Sequence, residues 1–221
     1  MRSRTKVPSA AVTVTVMGAL ALLTAAPLRA QEMTGRSRID VRTGVGVRVN
    51  SGTSTSVTGV ETKTDAAGFL GGLGFSHWFS ENVAGTLSVG VHSVGTETRA
   101  GVGGVETKTA VVVPFFVGVR RYLATSDPEP SARFFGSLEV GPVTGHESGT
   151  TIGSSITVGS ITRTALGGRA GVGVDFHLGS RMMLGIGGGY ALMTDFSEAI
   201  GGQKNHSGGD FGLSLGILFG G

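Results

Sequence analysis

From residue 37 onward, apolar and polar residues alternate along the chain with a period of two. The final segment shows the pattern most clearly, since one face carries Phe211, Leu213, Leu215, Ile217 and Phe219. Such alternation is typical of a β-strand with one apolar and one polar face. It recurs in eight segments, at residues 37–49, 61–79, 83–92, 105–123, 132–145, 161–178, 182–194 and 210–219. The sequence therefore predicts an all-β fold, a single eight-stranded antiparallel up-and-down β-barrel.

The first 30 residues form a separate unit. They begin with three basic residues, continue with an apolar stretch at residues 10–26, and end in Leu28-Arg29-Ala30. This order of basic start, apolar stretch and small-residue processing site is that of a secretory signal peptide. A membrane anchor is the alternative, but the apolar stretch is short and rich in Ala and Thr. We expect residues 1–30 to be a signal peptide and residues 31–221 to form one barrel domain.

Charge and cysteine content exclude several classes of function. Four of the 18 basic residues lie in the leader, so the mature chain has slightly more acidic than basic residues. A nucleic-acid partner requires a basic surface, and the mature chain has no excess of positive charge to form one. The absence of cysteine excludes a disulfide framework and a thiolate metal site. The five histidines show no metal-ligand spacing, so we expect no metal and no cofactor.

The connections between the eight segments alternate in length. Short connections lie near residue 80 and at residues 125–131 and 179–181. Longer ones, rich in Gly, Ser and Thr, lie at residues 50–60, 95–104, 145–160 and 195–209. In an up-and-down barrel, all the longer connections then fall at the same end. Outer-membrane barrels have this arrangement, with short periplasmic turns and long external loops around an even number of strands.

Alternation alone does not say whether the apolar face contacts lipid or the core of a soluble barrel. The glycines favour lipid, because many lie on the polar face, for example Gly44, Gly72, Gly173 and Gly212. On a water-exposed face they would only weaken the strands. In the narrow interior of an eight-stranded barrel they allow the strands to curve and close. The polar face is therefore predicted to point into the lumen of a transmembrane barrel.

Charged residues within the strands follow the glycines. An arginine that faced the hydrocarbon would cost about 2–4 kcal/mol, so these charges should lie inside and form pairs. Glu139 and Arg169 are predicted to stand at similar heights on adjacent strands, and the other charges form a lower layer. We predict a structural ion-pair network of six luminal residues: Asp40, Arg42, Arg120, Glu139, Arg169 and Asp175.

Aromatic residues near the strand ends are candidates for the girdles that flank the apolar band of a membrane barrel. They are Phe75, Trp78, Phe79, Tyr122, Phe134 and Phe219. Trp78 and Tyr122 are exceptions, because the alternation places both of them on the inward face.

Three sequence features resemble one family: the Gly-Phe-Ser-His-Trp-Phe-Ser-Glu-Asn-Val turn at residues 74–83, Phe-Val-Gly-Val-Arg-Arg-Tyr at 116–122, and the final amphipathic strand. With the eight segments, they resemble the small outer-membrane barrels of the OmpA, OmpX and OmpW type. The resemblance implies a monomer in the bacterial outer membrane that contacts lipid and lipopolysaccharide and is inserted by the barrel-assembly machinery. In that family the last strand ends on an aromatic residue that this machinery reads, whereas here two glycines follow Phe219.

For function, the sequence favours a structural or surface-interaction role carried by the long external loops. A narrow pore for small solutes is the first alternative, because a glycine-lined lumen can hold more water than usual. A lipid A-modifying enzyme is the second, since His206, Ser207 and Glu198 are the residue types of a His/Ser/acid set. Adjacent residues on one loop seldom reach the geometry that such a set requires, so no catalytic residue is assigned.

Overall fold

The structure, a computed structural model, describes residues 33–48, 53–55, 61–63, 67–101, 104–124, 131–152 and 154–221. The predicted signal peptide at residues 1–30 lies outside these ranges. The strands are β1 (Ser37–Arg48), β2 (Thr53–Thr55), β3 (Glu61–Lys63), β4 (Ala67–Ser80), β5 (Val83–Gly101), β6 (Gly104–Tyr122), β7 (Ala132–Ile152), β8 (Ile156–His177), β9 (Met182–Met193) and β10 (Gly208–Phe219). Within the described residues, no helix is long and apolar enough to cross a membrane.

Eight of these strands close into one barrel in the order β1-β10-β9-β8-β7-β6-β5-β4. Every neighbouring pair is antiparallel, and the ring closes where β1 pairs with β10, for instance Val41 with Leu215. β2 and β3 form a separate two-stranded sheet. A closed ring pairs both edges of each strand, which a bilayer demands of any spanning sheet. The predicted single eight-stranded antiparallel barrel is confirmed.

The two faces of the barrel differ in polarity as the alternation predicts. Outward side chains are apolar and exposed, with Val41 at 60%, Phe69 at 63% and Leu138 at 65% exposure. Inward positions of the same strands carry glycines, hydroxyls and charged groups. An apolar exterior around a polar interior is the inverse of a soluble barrel and the arrangement of a membrane-spanning one.

The aromatic residues divide between the two faces. Phe79, Phe134 and Phe219 are exposed on the outside, near the strand ends where an aromatic girdle would lie. Trp78 and Tyr122 are fully buried inside the barrel and stack on each other at 5.9 Å between ring centroids. These two residues therefore belong to the filling of the lumen rather than to a girdle.

Four strands extend beyond the rest of the ring. The β5–β6 ladder runs up to the pair Gly101 and Gly104, and the β7–β8 ladder runs up to Ile152 and Ile156. The prediction of long loops at residues 95–104 and 145–160 is therefore wrong. Thr, Val and Ile residues in these segments, for example Thr107, Thr109 and Val158, favour strands, and this preference outweighs the Gly and Ser residues beside them. We call residues 93–101, 104–113, 145–152 and 156–166 the projecting sheet.

The other two predicted long connections differ from each other. Residues 50–60 include the short strand β2, and their remaining residues lie outside the described ranges. Residues 194–207 connect β9 to β10 and contain only one isolated bridge, between Ile200 and Gln203. This last connection does not extend away from the barrel, as described below.

Candidate functional site

The lumen contains a layer of ion pairs centred on Asp175 of β8. Its carboxylate accepts hydrogen bonds from Nη1 of Arg38 at 3.0 Å, Nη1 of Arg120 at 3.0 Å and the hydroxyl of Tyr122 at 2.7 Å. Asp175 is fully buried, so these donors replace all the water that the charge would otherwise bind. Three barrel strands, β1, β6 and β8, are thereby connected to one another through a single carboxylate.

The same layer continues through Asp40 of β1. Its carboxylate lies 2.7 Å from Nε of Arg42 and 3.4 Å from Nε of Arg38. Arg38 also donates from Nη2 to the hydroxyl of Ser214 on β10, at 2.8 Å. Arg38 thus joins the two carboxylates of this layer.

A second layer is centred on Arg169 of β8. Its guanidinium binds both oxygens of Asp210 on β10, at 2.8 and 2.5 Å, and lies 3.3 Å from Glu139 on β7. Glu139 and Arg169 are direct partners in the β7–β8 ladder. Gly189 on the intervening strand leaves room for this reach, because a Cβ there would lie 2.8 Å from Nη2 of Arg169. The glycines of the lumen thus provide space for the ion pairs as well as curvature.

All six residues of the predicted network point into the lumen, and the structure divides them between the two layers. Asp40, Arg42, Arg120 and Asp175 lie in the lower layer, and Glu139 and Arg169 in the upper one. The prediction did not include Arg38 and Asp210, although both share the inward face of their strands with predicted members. The alternation places Arg38 and Asp210 on the inward face, so the sequence could have included both. Which residues they pair with depends on the stagger between neighbouring strands.

The lumen is filled at the end where the short turns lie. Six buried residues pack together there, which we call the basal plug: Met33, Trp78, Ala84, Tyr122, Met183 and Leu218. The chain before β1 crosses this end, where the carboxylate of Glu81 accepts from the Met33 amide at 2.8 Å. Gly35 and Trp78 are joined by a backbone hydrogen bond of 2.9 Å. The basal plug therefore combines apolar packing with a hydrogen-bonded strap.

The opposite end is filled by residues 194–207, which we call the distal plug. Phe196 and Ile200 are almost fully buried and form one apolar cluster with the barrel strands. They pack against six buried apolar residues of β5 to β8: Val94, Ala110, Val112, Phe116, Val143 and Ala165. The connection predicted as a long external loop is therefore folded into the barrel mouth. Isolated Phe and Ile in a polar segment give no periodicity from which this could be read.

Polar contacts hold the distal plug in place. The carboxylate of Glu147 on β7 accepts from the Gly201 amide at 2.7 Å, and Arg163 on β8 pairs with Glu198 at 2.6 Å. Asn205 donates to Asp195 and to the Met193 carbonyl, both at 2.9 Å. The plug is thus bound to two strands of the barrel and braced within itself.

His206 is a buried residue of the distal plug that bonds both a barrel strand and the plug backbone. Its Nδ1 lies 2.8 Å from Nη1 of Arg48, and its Nε2 lies 2.9 Å from the carbonyl oxygen of Ile200. A guanidinium can only donate, so Nδ1 accepts and Nε2 carries the proton that it donates to Ile200. Burial, together with the charge of Arg48, lowers the pKa of His206 from 6.5 to about 4. The ring is therefore neutral at physiological pH.

This geometry does not assemble the His/Ser/acid set that the sequence raised as an alternative. Both ring nitrogens of His206 are engaged with groups other than Ser207. The Ser207 hydroxyl accepts from the Met193 amide at 3.0 Å, and Glu198 is paired with Arg163. Across the residues that the structure describes, no group of three or more His, Asp or Glu side chains is arranged to hold a metal ion.

Between the two plugs lies a cavity of about 130 Å³. Its polar lining comes from both ion-pair layers and includes Arg42, Arg120, Glu139, Arg169 and Asp210. Phe116, Phe135 and Val143 line its apolar side. A cavity of this size with polar walls accommodates a few waters. It lies within the lumen, beside both ion-pair layers.

No protein-family model matches the chain, and no curated protein matches it in sequence. Among solved structures, Ail, the attachment invasion locus protein of Yersinia pestis, aligns over 85% of this chain and 100% of its own, with 15% identity and a TM-score of 0.51. Ail in complex with the heparin analogue sucrose octasulfate aligns over the same shares, with 14% identity and a TM-score of 0.50. Neisserial surface protein A aligns over 84% of this chain and 98% of its own, with 11% identity and a TM-score of 0.48.

At such low identity, the likeness to Ail concerns the fold. This chain has the fold of the small eight-stranded outer-membrane barrels, over nearly the whole length of both molecules. The resemblance predicted from the sequence is confirmed at that level.

Proposed function

We propose that this chain is a monomeric outer-membrane barrel with a closed lumen, whose role is structural and interactive rather than conductive. The observation that carries the proposal is the filling of both ends of the lumen by the basal and distal plugs. Each plug is a cluster of buried apolar side chains held by hydrogen bonds. Eight strands leave little space inside, and here that space also holds two layers of ion pairs.

The exterior supports a membrane location. Large apolar side chains cover the outside of every barrel strand, and a soluble protein would rarely expose so large a continuous apolar surface. The hydrocarbon of a bilayer removes this surface from water, and we propose lipid and lipopolysaccharide as its partners. Insertion would depend on the barrel-assembly machinery, with Phe219 followed by two glycines at the end of the last strand.

A closed lumen predicts that the barrel does not conduct. Protein refolded into a planar bilayer at neutral pH is expected to give a flat current trace at both signs of applied voltage. We expect the two plugs and the paired charges to block a continuous water path through the lumen. Discrete current steps would instead support the alternative function, a narrow pore for small solutes.

The projecting sheet is the surface that we assign to interaction. β8 pairs with β9 only from Gly167 onward, and Leu166 bonds Thr194, so no described strand pairs with that edge of residues 156–165. Ile156 and Val158 are 72% and 73% exposed there. An edge with free backbone groups and exposed apolar side chains can take an additional strand from a partner. A partner would therefore dock by strand addition, without entering the lumen.

This assignment predicts that Val158→Lys abolishes adhesion, since a charge at a sheet edge opposes strand addition. Cells that produce the full chain are expected to adhere to immobilised lipopolysaccharide, matrix protein or cells with the same chain more strongly than vector-only cells do. Ser148→Lys is the matched control, because Ser148 is exposed on β7 but paired with strands on both sides. Adhesion no stronger than that of vector-only cells, or equal loss in both variants, would contradict the role of the edge.

A further inference from the structure

The distal plug is held through a group that can change its charge. His206 bridges β1 and the plug itself, because Arg48 donates to its Nδ1 and its own Nε2 donates to the Ile200 carbonyl. Ile200, in turn, is one of the two apolar side chains inserted into the barrel mouth. The neutral ring is therefore one of the contacts that join the plug to the barrel wall, beside those of Glu147 and Arg163.

The charged and titratable groups around His206 do not favour an imidazolium. Arg48 on β1 faces it directly, and His92 on β5 lies within electrostatic range. Asp210 and Arg169, which lie near His92, bind each other. Within the plug, the ring of Phe196 lies 5.9 Å from the imidazole, and Glu198 is bound to Arg163. Glu147 on β7 is bound to the Gly201 amide. Among these groups, each carboxylate is already paired elsewhere.

We propose that the distal plug is an acid-released gate: protonation of His206 sets its imidazolium against Arg48 and frees Phe196 and Ile200 from the barrel mouth. A protonated Nδ1 can no longer accept from Arg48, so the hydrogen bond is lost at the same time as two positive charges meet. Release would open the internal cavity toward the end that carries the projecting sheet. The closed lumen then becomes the state of the barrel at neutral pH.

The pH range of release follows from linkage. The pKa of His206 is about 4 in the seated plug and returns toward 6.5 when the segment leaves the barrel. Above pH 6.5 both states are neutral and seating is strongest. Between pH 6.5 and 4 the released state alone binds the proton, so the seating constant falls about tenfold per pH unit. Between pH 7 and 4 the seating constant falls by about 100-fold, because each state is partly protonated near its own pKa.

Hydrogen exchange measures the opening even when the released state is rare. The reporters are the Phe196 and Ile200 amides, which donate to the carbonyls of Lys204 and Gln203 within the plug. Protection is measured between pH 4 and 7 on the full, refolded barrel, after correction for the intrinsic exchange rate. We expect it to fall about 100-fold in the wild type relative to His206→Gln. The Gln side chain can make both hydrogen bonds and cannot take up a proton.

Two further variants identify the cause. His146→Gln replaces a half-buried histidine on β7 whose ring bonds Thr162, outside the plug, and it should keep the full wild-type fall. Arg48→Gln removes the charge facing His206 and should reduce the fall, since the seated imidazolium becomes less unfavourable. A constant ratio of protection between the wild type and His206→Gln from pH 4 to 7 would overturn the gate. A flat conductance trace at neutral pH would be unaffected by that result.

Discussion

Replacing Asp175 with alanine is expected to lower the free energy of unfolding by about 3–5 kcal/mol. The buried carboxylate is the shared acceptor of Arg38, Arg120 and Tyr122. Its removal leaves two guanidinium groups in the lumen without their principal counter-charge, which is far more costly than the loss of an exposed pair. Urea unfolding in phospholipid vesicles measures the effect. Trp78, the single tryptophan, stacks on Tyr122 and reports it by fluorescence.

The control for this prediction is an ion pair at the surface. Arg163 and Glu198 lie 2.6 Å apart, with side chains 34% and 54% exposed. Glu198→Ala should cost less than about 1 kcal/mol, because water solvates the remaining charge. If both variants lost the same small amount, the luminal network would not be a structural element of this barrel.

The charges show what the alternation can and cannot predict. Position in a strand determines the face, so the inward orientation of Asp40, Glu139 and Asp175 follows directly from sequence. Height in the barrel also depends on the stagger between strands, which the sequence does not reveal. Arg169 reaches Asp210 across the strand that carries Gly189, a contact between residues 41 positions apart. The faces were therefore predictable, and the pairing was only partly so.

The distal plug was not predictable for a different reason. A strand can be predicted from apolar residues that repeat at every second position, whereas Phe196 and Ile200 are isolated apolar residues in a polar connection. Their burial depends on the pocket that β5 to β8 form above the ion pairs. In the projecting sheet the error runs the other way: the Gly, Ser and Thr residues of these segments suggested loops, and the structure has strands there. In both regions the composition of the segment was a weaker guide than its tertiary partners.

The glycines allow a sharper test of how the barrel closes. Gly44 and Gly46 lie on the same strand and the same inward face, and they pair with Gly212 and Asp210 of β10. A Cβ on Gly44 would lie 2.8 Å from the Gly212 Cα and would also contact the Phe211 carbonyl oxygen. A Cβ on Gly46 would have its nearest neighbour, the Gly209 carbonyl oxygen, at 3.8 Å. Only the first position lacks space for a methyl group.

Gly44→Ala is therefore expected to destabilise the barrel by about 1–3 kcal/mol, because the atoms in its way are backbone and cannot change rotamer. Gly46→Ala should stay within about 0.5 kcal/mol of the wild type or gain slightly, since alanine loses less entropy in a strand than glycine does. Urea unfolding in vesicles compares the two, and the gel mobility of unboiled protein shows the folded fraction. Equal stability of the two variants would mean that the close backbone contact at position 44 does not require glycine. A loss confined to Gly44→Ala would indicate that the seam between the first and last strands requires close contact between backbones.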